Sequence, residues 1–188
     1  MNALVAAATD IQAFCDQRGW KSCVIGGLAV QRWGEPRATR DVDVTLLTGL
    51  GGEARFVDPL LERYRPRIPD ARQFALDRRV LLVETSDGVA LDIALAGLPF
   101  EERVVSRSSA FAFEPGASVV TCSAEDLVTL KAFAGRAQDW LDVEGILVRQ
   151  GARLDRALVL EELRPLLELK EDPAAAFTLQ KLFNKHRS

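Results

Sequence analysis

Asp41 and Asp43 are the residues whose type and spacing say most about chemistry. From Asp41 to Leu47 the sequence alternates, with Val42, Val44 and Leu46 on one side and Asp41, Asp43 and Thr45 on the other, which predicts a strand. Two residues apart, the aspartates point the same way with Cα atoms about 6.6 Å apart, at roughly 3.3 Å per residue. Carboxylates held together on a partly buried sheet face repel unless they are protonated or bridged by a cation. Mg²⁺ takes a few carboxylates together with phosphate oxygens, which suits this pair. A solvated strand face or a pair of turn acids is the plainer account of an Asp-x-Asp. Asp92 strengthens the first reading. In Val89 to Leu95 the residues Leu91, Ile93 and Leu95 make an apolar face, and Asp92 stands opposite, between Ala90 and Ala94. An aspartate inside such a strand is costly to bury alone. If this strand lies beside Asp41–Leu47, three carboxylates converge on an uncrowded patch able to hold two Mg²⁺ about 3.5–4 Å apart, the arrangement used in phosphoryl transfer. A salt bridge to Arg40, Arg78 or Arg79 is the other account of Asp92.

Two further features could serve the same chemistry. A short apolar strand, Ser22 to Ile25, runs into Gly26-Gly27 and then a helix from Leu28 to Trp33, closed by Gly34 and Pro36. Glycines at such a turn let backbone N–H groups approach an anion, and the helix N-terminus adds positive potential. A tight strand-to-helix turn explains them equally well. Farther on, an unbroken helix from Ser123 would put Lys131, Gly135, Asp139 and Asp142 on one face, with Lys131 and Asp139 too far apart to pair. That stripe is either a solvated side or part of a site, and the small Gly135 hints at close packing there.

Composition removes many other chemistries. The only histidine is His186, third from the end, so histidine triads and histidine–zinc sites are set aside. Cys15, Cys23 and Cys122 are scattered and odd in number, which supports neither disulfides nor a zinc cluster. Lys and Arg total 24 against 27 Asp and Glu, a net charge of −3, so the surface is not broadly built for nucleic acid. No apolar run nears the roughly 20 residues of a membrane span, and the first residues lack the basic start of a signal peptide. The expected compartment is the cytoplasm.

The elements that must position these residues read as mixed α/β. An Ala-rich helix is expected from about Ala3 to Arg18, ended by Gly19, and another from Phe56 to Tyr64. Val80–Glu84 and Val89–Leu95 flank Ser86-Asp87-Gly88, a hairpin signal. Phe111–Phe113 and Ser118–Thr121 flank Pro115-Gly116, a weaker one. Ser123-Ala124-Glu125-Asp126 has the form of a helix N-terminus. The chain beyond is helical, broken near Gly151 and Asp172-Pro173. The 188 residues thus divide at Ser123 into an α/β core over 1–122 and a helical C-terminal region over 123–188.

Taken together, Gly26-Gly27, Arg37-x-Thr39-x-Asp41-x-Asp43 and a later strand aspartate, Asp92, resemble the nucleotidyltransferase (polymerase-beta-like) superfamily. Within it the likeness is closest to the AbiEii-type toxins of type IV toxin–antitoxin systems. Glu125-Asp126-Leu127, Lys131, Ala134, Arg136 and Asp139-x-x-Asp142 resemble that subgroup's helical motif. The likeness spans residues 22 to 145. It implies a mixed twisted sheet flanked by helices, an α+β nucleotidyltransferase core, and transfer of a nucleotidyl group from an NTP with Mg²⁺ or Mn²⁺ to an acceptor hydroxyl. Asp41, Asp43 and Asp92 would bind metal, Asp92 serving as second-metal ligand or proton acceptor. Gly26 and Gly27, with Arg37, Thr39, Arg40 and Asp139, would serve the nucleotide, and Lys131 would meet phosphate oxygens. The superfamily often has Gly-Ser where this chain has Gly26-Gly27, so a hydroxyl contact to phosphate is missing.

Two basic stretches bear on the acceptor, for which the resemblance implies tRNA, with an antitoxin as protein partner. Between Glu53 and Arg79 stand seven arginines against five acids, and the tail reads Lys181-x-x-x-Lys185-His186-Arg187. Either could meet phosphates; a helix surface and a frayed end account for them too. Trp20, Trp33 and Trp140 are expected to pack rather than stack bases. The rival functions are transfer to a small molecule or protein, and a binding module that kept the fold without catalysis. A dinucleotide-binding domain fits poorly, because no third glycine follows Gly26-Gly27.

Overall fold

Alternation along Asp41–Leu47 and Ala90–Ala96 does what it predicts: these two strands lie side by side at the middle of a seven-stranded sheet. The computed structural model describes residues 2–171 and 173–186. Asp172 and Arg187, named above for the helix break and the basic tail, lie outside the described residues. In chain order the elements are α1 (Ala3–Asp16), β1 (Ser22–Val24), α2 (Gly26–Trp33), β2 (Asp41–Leu47), α3 (Ala54–Arg63), β3 (Arg65–Pro66), α4 (Ala71–Arg78), β4 (Val80–Glu84), β5 (Ala90–Ala96), α5 (Pro99–Ser106), β6 (Ser109–Glu114) and β7 (Ala117–Thr121). The helices α6 (Ala124–Ala134), α7 (Ala137–Gln150), α8 (Arg156–Lys170) and α9 (Pro173–Lys185) follow. Two compact units result, one of residues 1–28 and 38–122, the other of 29–37 and 123–188.

In the first unit the sheet runs β3-β4-β5-β2-β1-β7-β6. The pairs β2–β5 and β1–β7 are parallel and the remaining neighbours antiparallel. Both predicted hairpins form, β4–β5 and β6–β7. Their turns use Gly88 at φ +78° and Gly116 at φ +80°, a backbone region that favours glycine. The core face is the apolar one read from the alternation. Val42, Val44, Leu46, Leu91, Ile93 and Leu95 are all buried, packed with Ile11, Phe14 and Cys15 of α1. Trp20 packs there too, its ring 5.9 Å from Phe14 and 4.8 Å from Phe56.

Arg79 stitches the sheet to the glycine-rich segment before α3. Its guanidinium donates to Glu53, to the Leu95 carbonyl and to the Gly49 carbonyl, the last at 2.9 Å. Arg79 itself sits at φ +56°, a left-handed position that costs a non-glycine residue of order 1 kcal/mol and that these bonds hold in place.

In the second unit α6 packs on α7, α8 and α9. The Ser123 hydroxyl accepts from the Asp126 backbone N–H at 3.1 Å, the cap its sequence foretold. The helix from Ser123 is not continuous, contrary to the unbroken helix weighed above: it stops at Gly135, φ +68°, and α7 starts afresh two residues later. Glycines also permit close approach within this unit. A Cβ on Gly34 would come within 2.9 Å of Ile146, and one on Gly145 within 3.1 Å of Glu35. Arg149 and Gln150 then donate to the Gly34 and Trp33 carbonyls, each at 2.6 Å, satisfying the open end of α2. Among the described residues no helix is long and apolar enough to cross a membrane.

Candidate functional site

The parallel pairing of β2 and β5 sets Asp43 directly against Asp92, with Asp41 two residues before it against Ala90. One carboxylate oxygen from each of Asp41, Asp43 and Asp92 lies within 4.8 Å of the others, and all three residues are half-buried. Three like charges at that range repel, so the site calls for positive charge. Oxygen donors on two adjacent strands are the set a hard divalent cation takes.

The diglycine borders this cluster for a steric reason that the sequence does not disclose. Both glycines belong to the first turn of α2 rather than to a loop preceding it, because the helix starts at Gly26. A Cβ on Gly26 would fall 1.8 Å from Asp43 Oδ2, and Gly26 has φ +61° besides. A Cβ on Gly27 would fall 2.3 Å from Thr39 Oγ1. The missing side chains are therefore the space in which Asp43 and Thr39 stand. Thr39 in turn donates from Oγ1 to Asp41 Oδ1 at 3.0 Å, and the Ile25 N–H donates to the Asp43 carbonyl at 2.9 Å. The strand end, the helix start and the acidic pair are thus locked together. Arg40 is exposed, next in chain to Asp41.

Asp92 pairs with an arginine, though not with Arg40, Arg78 or Arg79. Its partner is Arg67, whose Nη1 donates to Asp92 Oδ1. Arg67 follows β3, and its backbone N–H donates to the Leu82 carbonyl at 3.1 Å, Leu82 being the ladder partner of Asp92. Sequence reasoning missed Arg67 as an individual. It was one of seven arginines in a mixed-charge stretch, and only the pairing of three strands singles it out.

Lys131, Asp139 and Arg37 form a different cluster, inside the helical unit. Lys131 Nζ lies 3.0 Å from Asp139 Oδ1 and 2.8 Å from Asp142 Oδ2. This corrects the expectation that Lys131 and Asp139 stand too far apart: the turn at Gly135 folds α7 back and brings them together. Arg37 grips Asp142 through Nε at 2.7 Å and Nη2 at 2.8 Å, and Arg136 Nε reaches Asp139 Oδ2 at 2.6 Å. Burial pushes the Asp142 carboxyl up, but hydrogen bonds from Arg37, Lys131 and Gln138 outweigh it and hold the group down at about 2. The Asp139 carboxyl is likewise raised by burial and lowered more strongly by Arg136 and Lys131, ending below its ordinary value. The Lys131 ammonium, 7% exposed, is thus enclosed by two carboxylates.

The basic stretch before Arg79 is largely neutralised in place. Arg63 meets Asp10, Arg65 meets Glu84, Arg67 meets Asp92, Arg72 meets Asp58 and Arg79 meets Glu53. In the tail, Lys185 and His186 both reach Glu144 Oε1, at 2.6 and 2.9 Å. A cavity of about 760 Å³ lined by Asp16, Trp20, Lys21, Leu47 and Glu102 opens at the far end of β2 from Asp41 and includes none of the candidate residues.

No protein family and no curated protein matches the sequence. Solved structures do resemble the fold. An antigenic nucleotidyltransferase-like protein from Paracoccidioides brasiliensis superposes with a TM-score of 0.53 at 13% identity, covering 94% of this chain and 92% of that one. The antibiotic-resistance factor ANT(2'')-Ia superposes with a TM-score of 0.55 at 18% identity, covering 94% and 96%. The seven-stranded mixed sheet with flanking helices is a nucleotidyltransferase fold.

Proposed function

We propose that the chain is an NTP-dependent nucleotidyltransferase, moving a nucleotidyl group to an acceptor hydroxyl with the help of Mg²⁺ or Mn²⁺. One observation carries this reading: on a nucleotidyltransferase fold, Asp41, Asp43 and Asp92 bring carboxylate oxygens within 4.8 Å of one another, beside two glycines that leave them room. The three acids fit a divalent cation, because two adjacent strands present carboxylate oxygens, the donors a hard cation takes. When bound, the cation offsets the charge of the triphosphate and polarises the phosphorus under attack.

The chain's own residues do the rest. Asp41, oriented by Thr39, and Asp43, packed against Gly26, would hold the cation. The backbone N–H groups of the first turn of α2, at Gly26 and Gly27, face the triphosphate. Arg40 offers its charge to a phosphate oxygen from the strand entrance. Asp92 takes the proton of the acceptor hydroxyl; the acceptor oxygen bonds to the α-phosphorus while the bond to the bridging oxygen of the β-phosphate breaks, and pyrophosphate leaves with that electron pair. Lys131 and Asp139 enter only through their network with Arg37 and Asp142, since the ammonium is already committed to two carboxylates. The chemistry lies in the 1–122 core, and 123–188 is its helical companion.

The acceptor in this reading is a small hydroxylated molecule. Five of the seven arginines between Glu53 and Arg79 are ion-paired, and a neighbour in fold is an antibiotic-resistance factor. Transfer to tRNA by a toxin with a cognate antitoxin is the second reading, carried by the AbiEii-like segment from Glu125 to Asp142. Incubation with labelled NTPs, Mg²⁺ and either an aminosugar panel or tRNA separates the two. The first expected outcome is label on the aminosugar. The second is at least a hundredfold loss of transfer in Asp41→Ala and in Asp43→Ala, with unchanged circular dichroism. Wild-type transfer by either variant overturns the site. No transfer to any acceptor, with a partner that co-purifies, favours a binding module.

A further inference from the structure

We propose that Arg67 is the counter-ion with which a divalent cation competes for Asp92. The inference deepens the functional reading and rests on it, since it takes Asp41, Asp43 and Asp92 as the cation's ligands. Three features carry it. Arg67 is placed by the ladder and not by chance: its N–H is bonded to the Leu82 carbonyl, and Leu82 is paired with Asp92. Its guanidinium donates to Oδ1 of Asp92, the residue aligned with Asp43. The two side chains are 33% and 31% exposed, so water and a cation reach the pair, and the side chain of Arg67 has solvent to retreat into.

Electrostatics then gives Arg67 a definite role. Three carboxylates within 4.8 Å repel one another, and the Arg67 guanidinium relieves a part of that at Asp92. A divalent ion carries twice the charge, approaches oxygen to 2.0–2.2 Å, and repels a guanidinium on the same oxygen. Asp92 therefore exchanges one cation for another, which keeps the acidic patch assembled while the stronger ion is absent and lowers the apparent affinity when it arrives.

The test is Mn²⁺ binding to the full chain without nucleotide, read by electron paramagnetic resonance, for the wild type, Arg67→Ala, Arg67→Gln, Arg67→Lys and Asp43→Ala. Circular dichroism checks each fold, and Arg67→Gln stands in if the alanine variant fails to fold. Removing the charge is expected to tighten Mn²⁺ roughly two- to fivefold, the range for a half-exposed ion pair, and Arg67→Lys is expected to lie between that and wild type. Affinity unchanged or weakened in both charge-removing variants, while Asp43→Ala still abolishes binding, overturns the role of Arg67 and leaves the cation site standing. Mn²⁺ bound equally by Asp43→Ala and wild type overturns the cation site itself, and the role of Arg67 with it.

Discussion

At the scale of single residues, Gly26 and Gly27 have a steric role that their place after a strand does not disclose. A diglycine after a strand suggests a backbone cradle for an anion; the structure adds that Asp43 and Thr39 fill the volume two side chains would take. At position 27 that volume is where any larger side chain would begin, and here the Thr39 hydroxyl lies 2.3 Å from the same point. Nothing in the spacing of residues 27 and 39 could announce this, since the contact depends on where the chain returns after α2. The contact predicts a compensated pair. Gly27→Ala should cost about 1–3 kcal/mol through overpacking, and Thr39→Gly, which removes every atom the new Cβ meets, should recover part of it. Urea denaturation of both single variants and the double variant reads this directly. A double variant no more stable than the sum of the single effects would mean the contact is not what requires glycine.

At the scale of elements, strands were easier to read than helix ends. Alternation located β2, β4 and β5 because each keeps one face in the core; the burial of Val42, Val44 and Leu46 repeats it. The helix α4 was missed because its charged sequence buries only Ala71 and Ala75, too little to show a period. The helix α5 was missed although Pro99 and Glu101 are standard signals for a helix start. The break at Gly135 is more instructive. Spacings of four and eight from Lys131 fit an uninterrupted helix equally well, and nothing in them marks Gly135 as the left-handed residue that ends α6. The turn makes the Lys131–Asp139–Asp142–Arg37 network, and the network has a pH signature. The Asp142 carboxyl lies at about 2 in the folded chain against an ordinary 3.8. A depressed carboxyl stabilises above its unfolded value and loses that contribution as pH falls through the folded one. About 2 kcal/mol should therefore disappear between pH 4 and pH 2. Asp142→Asn should cost about 2–3 kcal/mol at pH 7, and its stability should fall less than wild type's over the acid range. Parallel slopes from denaturant titrations at successive pH values would remove Asp142 from this role.

At the scale of the whole molecule, the net charge of −3 argues against a broad polyanion surface, and the ion pairs of Arg63, Arg65, Arg72 and Arg79 extend that argument to much of the arginine-rich stretch between Glu53 and Arg79. Pairing of this kind is settled by tertiary register, so the sequence could offer only a count of charges. On the sheet, carboxylates gather at Asp41, Asp43 and Asp92, where Arg67 is paired with Asp92. A ligand that supplies positive charge there should stabilise the native chain by mass action. With Mg²⁺ and an NTP at about 100 times their dissociation constant, the gain is about 2.7 kcal/mol. For a domain of this size that corresponds to a rise in Tm of roughly 5–10 °C. Differential scanning fluorimetry should show the rise for wild type with Mg²⁺ and NTP together, a smaller one with either alone, and none for Asp43→Ala. The wild-type shift should also survive moderate salt, because chelation between fixed strand carboxylates is screened less than contacts to exposed arginines. An equal shift in Asp43→Ala would place the ligand elsewhere on the molecule, and the cavity beside Trp20 and Lys21 would then be the first place to look.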